Sequence, residues 1–125
     1  MLSRVPALSA TIRALGAGMG EWNDMDVAFT YPGDMNAEHD AIRDVVGMWD
    51  TSALTKTWVR RPDALAAVDY LITRNMAKIY VDKSAYVPIL KDNDHFCNDG
   101  FIYHLEDDVF LAVTSIGQTR ELLRD

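Results

Sequence analysis

The stretch "NDHFCNDGFIYHL", Asn93 to Leu105, holds the side chains best suited to chemistry: a carboxylate, Asp99, a thiol, Cys97, and two imidazoles, His95 and His104. A carboxylate set among Phe96, Phe101, Ile102 and Tyr103 is partly desolvated, which is costly unless a donor or a cation partners it. Such a group is suited to binding or polarising an amine. Asp-Gly is also a strong hairpin signal, so two readings of Asn98-Asp99-Gly100 compete. Either the chain turns there, or Asp99 lies inside a strand and Gly100 marks a bulge or a close approach to the backbone. Asp92-Asn93-Asp94 already reverses the chain, and a second reversal at Asn98 would leave only His95, Phe96 and Cys97 between the two turns. Three residues make a poor strand, which favours the second reading.

Other constellations say less. His95, Cys97, Asp99 and His104 are close in sequence, but their spacing matches no standard zinc pattern, and only alternate strand residues share a face; no metal site is expected. Cys97 lacks an evident activating base and reads as a small apolar residue. His39 reads as a packing or solvent residue. Trp22, Trp49 and Trp58, with Tyr86 and Tyr103, could wall a flat aromatic ligand, although core filling is the default for each. No glycine-rich phosphate loop, serine triad or glycosidase-type carboxylate pair stands out.

The elements that must position Asp99 follow from composition and pattern. The chain has 125 residues, a length that fits one domain, and 49% of them are hydrophobic, enough to build a core. A net charge of −7, without a Lys/Arg-rich block, argues against nucleic acid as a partner, since that binding rests on neutralising phosphates. The single Cys97 cannot form an internal disulfide, so a reducing, cytoplasmic setting suits the chain. No apolar run approaches the roughly 18 to 20 residues that cross a bilayer, and no membrane association is expected. The first twenty residues carry Arg4 and Arg13 and no acid, as transit peptides do. The stronger reading is a surface helix, with Leu8, Ile12 and Leu15 at helical spacing and Gly16 and Gly18 as its stop.

Further along, Tyr31-Pro32-Gly33 signals a turn, and Asn36 is expected to cap a helix with Glu38 in its first turn. Ile42, Val45 and Val46 would form its buried stripe, and Gly47 its end. A strand is expected near Thr55 to Arg60, then a helix from Pro62 to about Arg74 with the stripe Leu65, Val68, Leu71 and Ile72, closed by a left-handed Asn75. Three strand-like runs follow, "SAYVPILK", "HFCNDGFIYHL" and "DVFLAVTS", separated by the acidic triplets Asp92-Asn93-Asp94 and Glu106-Asp107-Asp108, which are turn chemistry. Pro88 lacks a ladder donor and favours an edge or bulged position. "GQTRELLRD" begins another helix. The fold class is α+β, an antiparallel meander with helices on one face, partly ferredoxin-like. A final helix with no strand after it suggests the front portion of a larger fold, or one completed by association.

"LSATIRALGAGMGEWNDMDVAFTY", "AEHDAIRDVVGMWDTSA", "RRPDALAAVDYLITRNM" and "SAYVPILKDNDHFCNDGFIYHLEDDVFLAVTS" together resemble the N-terminal third of the aminomethyltransferase (glycine cleavage T-protein) family, which includes tetrahydrofolate-dependent demethylases. The best match is Glu38, His39 and Arg43 in a Glu-His-x-x-x-Arg pattern, followed by Val46, Gly47, Trp49, Asp50 and Ser52. The resemblance implies residues 1–125 as the front of a folate-binding domain, tetrahydrofolate as cofactor, and one-carbon transfer of an aminomethyl or methyl group. It places the functional carboxylate on Asp99, which would orient and electrostatically assist the folate amine, and it implies Leu54, Tyr86, Leu111 and Val113 as the lining of the pterin cavity. It implies as partners a small-molecule one-carbon donor or a lipoyl carrier protein. Two rivals stand beside this reading: a non-catalytic folate-binding relative, and a scaffold or interaction domain that completes its sheet as a homo-oligomer.

The chain departs from the family pattern in three places. Ser52-Ala53 stands for the usual Ser-His, Arg61 for a common Gly, and Asn98 for the first Asp of a pair whose second member is Asp99. Loss of that first Asp is more similar to the demethylase branch.

Overall fold

A computed structural model describes residues 4–91 and 93–115, which group into two compact units, one ending at Ala53 and the other beginning at Leu54. In the first unit, helix α1 (Ser9–Ala14) ends on Gly16, whose φ of 77° suits a glycine at a helix terminus. Ile12 is the buried residue of this surface helix.

Strands β1 (Gly18–Trp22) and β2 (Met25–Thr30) then form an antiparallel hairpin. Its two turn residues, Asn23 and Asp24, both have positive φ, 53° and 57°, the backbone of a type I′ turn. Arg13 ion-pairs with Asp26, tying α1 to β2. The sequence reading has no hairpin here; it spends Gly18 on stopping α1, whereas Gly18 opens β1.

Helix α2 (Met35–Asp44) is capped by Asp34, whose Oδ1 accepts the Asn36 N–H at 2.9 Å. Asn36, expected as the cap, thus lies inside the first turn, because the acidic residue two positions earlier reaches its amide. The expected buried stripe is also corrected: Ile42, Val45 and Val46 are 52%, 81% and 75% exposed, and α2 has no buried residue. The helix ends at Asp44, ahead of Gly47.

The second unit is a four-stranded antiparallel sheet of order β3–β6–β5–β4, with β3 at Thr55–Arg60, β4 at Lys83–Leu90, β5 at Phe96–Glu106 and β6 at Val109–Thr114. The three acidic-turn runs form a meander as expected, and Pro88 sits on the edge strand β4, which shows a register shift after Ile89. Helix α3 (Ala64–Leu71) packs Ala64 and Val68, with the following Ile72, against one face of the sheet. There it meets Ala85, Val87, Ile89, Ile102, Phe110 and Ala112 in the core. The fold is α+β, as the pattern implies.

This helix is shorter than expected at both ends. Ile72 is already extended (ψ 161°) and bridges to Ile89, so the sheet pulls the chain out of the helix before Arg74. Asn75 is not left-handed, with φ −73°. The Asp69 carboxylate accepts the Met76 N–H at 2.6 Å, holding that turn in a 3-10 geometry with Met76 fully buried. The helix expected from "GQTRELLRD" lies outside the described residues. No helix among the described residues is long and apolar enough to cross a membrane.

Candidate functional site

β5 runs unbroken from Phe96 to Glu106, so Asp99 is a strand residue and the Asp-Gly hairpin is ruled out. The reversal occurs before it, where the Lys91 N–H reaches the His95 carbonyl and Asp94 adopts φ 61°. The close approach expected at Gly100 is that of β6. A Cβ there would drive into the Val113 carbonyl oxygen and stand 2.9 Å from Thr114 Cα.

Strand alternation then sorts the side chains. Asn98 and Ile102 point to the α3 face and are 1% exposed, while Asp99, Phe101 and Tyr103 point to the outer face. The register sets Tyr86 of β4 beside Phe101, and Val113 and Leu111 of β6 beside Phe101 and Tyr103. Trp58 of β3 extends the row past Leu111. The rings are in contact, Tyr86 to Phe101 edge-on at 5.4 Å between centroids and Phe101 to Tyr103 at 6.2 Å. At the far rim the Arg60 guanidinium lies 4.0 Å over the Trp58 ring.

Asp99 therefore stands at the end of an aromatic row. Asp99 is half-buried, and its donor is the Tyr86 hydroxyl, which donates to Asp99 Oδ2. The Tyr86 phenol is pushed above its ordinary value of 10.0, first by that hydrogen bond, then by burial and by the nearby negative charge. Ser115, just past β6, donates its hydroxyl to Asn98 Oδ1 at 2.6 Å and lies 3.4 Å from Asp99 Oδ1. The Asp99 N–H also goes to Asn98 Oδ1, at 2.9 Å.

Of the five residues proposed for the site, Tyr86, Asp99, Leu111 and Val113 share this outer face. Leu54 precedes the first paired residue of β3, so the ladder does not place it in the row. Sequence reasoning missed Ser115 altogether and treated Asn98 only as a departure from a family pattern. The period of two could have separated Asn98 from Asp99, but no local signal marks Ser115, which the β5–β6 register brings across.

The four metal-type residues do not converge. His104 faces the core, stacked on Phe110 at 4.5 Å with Nδ1 bonded to the Ile79 carbonyl at 2.6 Å, whereas Asp99 faces outward. His39 is exposed on α2 and bonds Asp40. In the first unit, Asp50 of the family-like segment accepts the Ser52 N–H at 2.7 Å and the Leu8 N–H at 3.3 Å, a turn-building role.

The chain is 35% identical over 120 residues to a heme-dependent oxidative N-demethylase gamma subunit from Ectopseudomonas mendocina, covering 96% of the chain and 32% of that protein. It is 36% identical to an aminomethyltransferase from Koribacter versatilis, covering 94% of the chain and 31% of the relative. The chain thus spans about a third of the length of these relatives. Its fold matches the crystal structure of glycine cleavage system aminomethyltransferase T from Bartonella henselae with a TM-score of 0.76, at 19% identity, over 96% of this chain and 33% of that one. The model of the GCVT N-terminal domain matches residues 8–125, and the chain belongs to that family.

Proposed function

We propose that this chain is the folate-facing front portion of a tetrahydrofolate-dependent one-carbon transferase, moving an aminomethyl or a methyl group. The observation that carries the reading is the Asp99 carboxylate, held by the Tyr86 hydroxyl at the end of the row Tyr86, Phe101 and Tyr103, with Leu111 and Val113 beside it. Family membership supports it, and so do relatives named as aminomethyltransferases and an N-demethylase subunit.

The residues fit the group. A reduced pterin keeps a flat pyrimidine ring and carries amine N–H donors, and the outer face offers aromatic and aliphatic surface for the ring and one carboxylate for a donor. When bound, tetrahydrofolate supplies reduced nitrogens that carry the one-carbon unit. Asp99 would accept an N–H from such a nitrogen and set a negative charge beside it. Tyr86 fixes the other carboxylate oxygen, so that the acceptor is aimed before the ligand binds. The aromatic row excludes water from one side of the pair, which strengthens it. The donor would be an aminomethyl group on a lipoyl carrier protein, or a methyl group on a small sulfonium or methoxy compound.

Calorimetric titration of tetrahydrofolate into the wild-type chain and Asp99→Ala tests the reading. Saturable binding, weakened in the variant by about 1.5–3 kcal/mol, the range for a hydrogen bond to a charged group, is the expected result. Equal binding by the two proteins would remove Asp99 from the site.

A further inference from the structure

We propose that Ser115 and Asn98 are positioning residues that keep one oxygen of Asp99, Oδ1, free to receive an N–H from the amine ligand. This rests on the reading of Asp99 as the ligand-facing carboxylate.

The two oxygens of Asp99 are unequal. Oδ2 takes the Tyr86 hydroxyl. Among the described residues, the Ser115 hydroxyl reaches Oδ1 at 3.4 Å, but the same hydroxyl lies 2.6 Å from Asn98 Oδ1. A serine hydroxyl carries one proton and cannot serve both acceptors, and the shorter contact takes it. Asn98 is well placed to hold it. It is 1% exposed, and the same Oδ1 accepts the Asp99 N–H at 2.9 Å. A backbone N–H can only donate, so the atom it meets is the amide oxygen and not the nitrogen. The amide oxygen has two lone pairs, and Ser115 and Asp99 each donate to it. Being neutral, it holds the hydroxyl without setting a second negative charge beside Asp99.

The consequence is specific. Without the Asn98 acceptor, the Ser115 proton is free to turn to Asp99 Oδ1 and compete with the ligand. Ligand affinity then falls although no ligand contact was removed, and deleting the hydroxyl as well restores it. A purely structural role for the pair predicts the opposite, that two deletions are worse than one.

Tyr86 reports where that proton is, because its hydroxyl shares the same carboxylate. The chain has five tyrosines, and carbon-13 labelling at Cζ resolves their ionisation one by one in NMR spectra. Among the described residues, Lys56 and Arg60 of β3 and Tyr103 and Glu106 of β5, charged or titratable groups that the register sets on this face, are unchanged in every variant. The expected pattern is a Tyr86 midpoint unmoved by Ser115→Ala, lowered by about half a pH unit or more by Asn98→Ala, and restored in the double variant. Tetrahydrofolate affinity follows it, falling about tenfold in Asn98→Ala and recovering in the double variant.

A Tyr86 midpoint that rises in Ser115→Ala overturns the proposal, since the proton would then sit on Asp99 in the native protein; so do losses that simply add. Where Asn98→Ala does not fold, the Ser115→Ala midpoint decides, with Ser115→Thr, which keeps the hydroxyl, as its control. A wild-type chain that binds no tetrahydrofolate counts against the functional reading alone, because the NMR cycle decides the positioning without ligand.

Discussion

The two faces of the four-stranded sheet use similar residues to different ends. On the inner face Val87, Ile89, Ile102 and Phe110 are at most 1% exposed beneath α3. On the outer face Trp58, Tyr86, Phe101 and Tyr103 are 51%, 53%, 44% and 37% exposed, with Asp99 beside them. Hydrophobicity alone does not separate the faces, since the outer one carries the larger aromatic area. The difference is chemical. The outer aromatics form a row that ends at a fixed acceptor through Tyr86, whereas the inner side chains are mainly aliphatic and fit one another. Exposed aromatic area joined to a held carboxylate reads as a ligand surface.

This contrast makes graded predictions. Phe110→Ala, which empties the centre of the inner face, should cost about 3–5 kcal/mol in urea unfolding. Phe101→Ala, at an outer position, should cost less than about 1.5 kcal/mol, and equal losses would erase the distinction between faces. Gly100→Ala should destabilise by about 1–3 kcal/mol, because its Cβ meets β6 backbone that cannot swing aside.

The smallest effect is in pH. Because the folded Tyr86 phenol is raised above its unfolded value of 10.0, the Tyr86–Asp99 bond contributes fully below that value and is lost as pH rises through the folded one. The stability difference between wild type and Asp99→Ala should therefore shrink above pH 10, as urea midpoints at pH 8 and pH 11 would show.

The pair of helices shows which parts of this architecture were legible. α2 and α3 both display an apolar stripe, yet Val68 of α3 is 1% exposed and Val45, just past α2, is 81% exposed. Periodicity tells which side of a helix seeks cover, and says nothing about whether the chain supplies it. The meander was readable because acidic triplets bracket long apolar runs, and the strand at Thr55–Arg60 because β-branched and aromatic residues cluster there. The β1–β2 hairpin was not, since glycines at Gly18 and Gly20 mask the strand pattern and Asn-Asp is a weaker turn signal than Asn-Gly. At the site, Asp99 was legible as a carboxylate inside an apolar strand run. The Asn98–Ser115 contact spans 17 positions in sequence and depends on strand register, which no local window contains.

The claim that the outer face is the ligand face is tested most directly by mapping NMR shift changes as tetrahydrofolate is added to the wild-type chain. The account predicts saturable changes at Tyr86, Asp99, Phe101, Tyr103, Leu111 and Val113, with Val68, Ile89 and Phe110 little affected. Saturable changes centred on the first unit, or on the α3 side of the sheet, would contradict it.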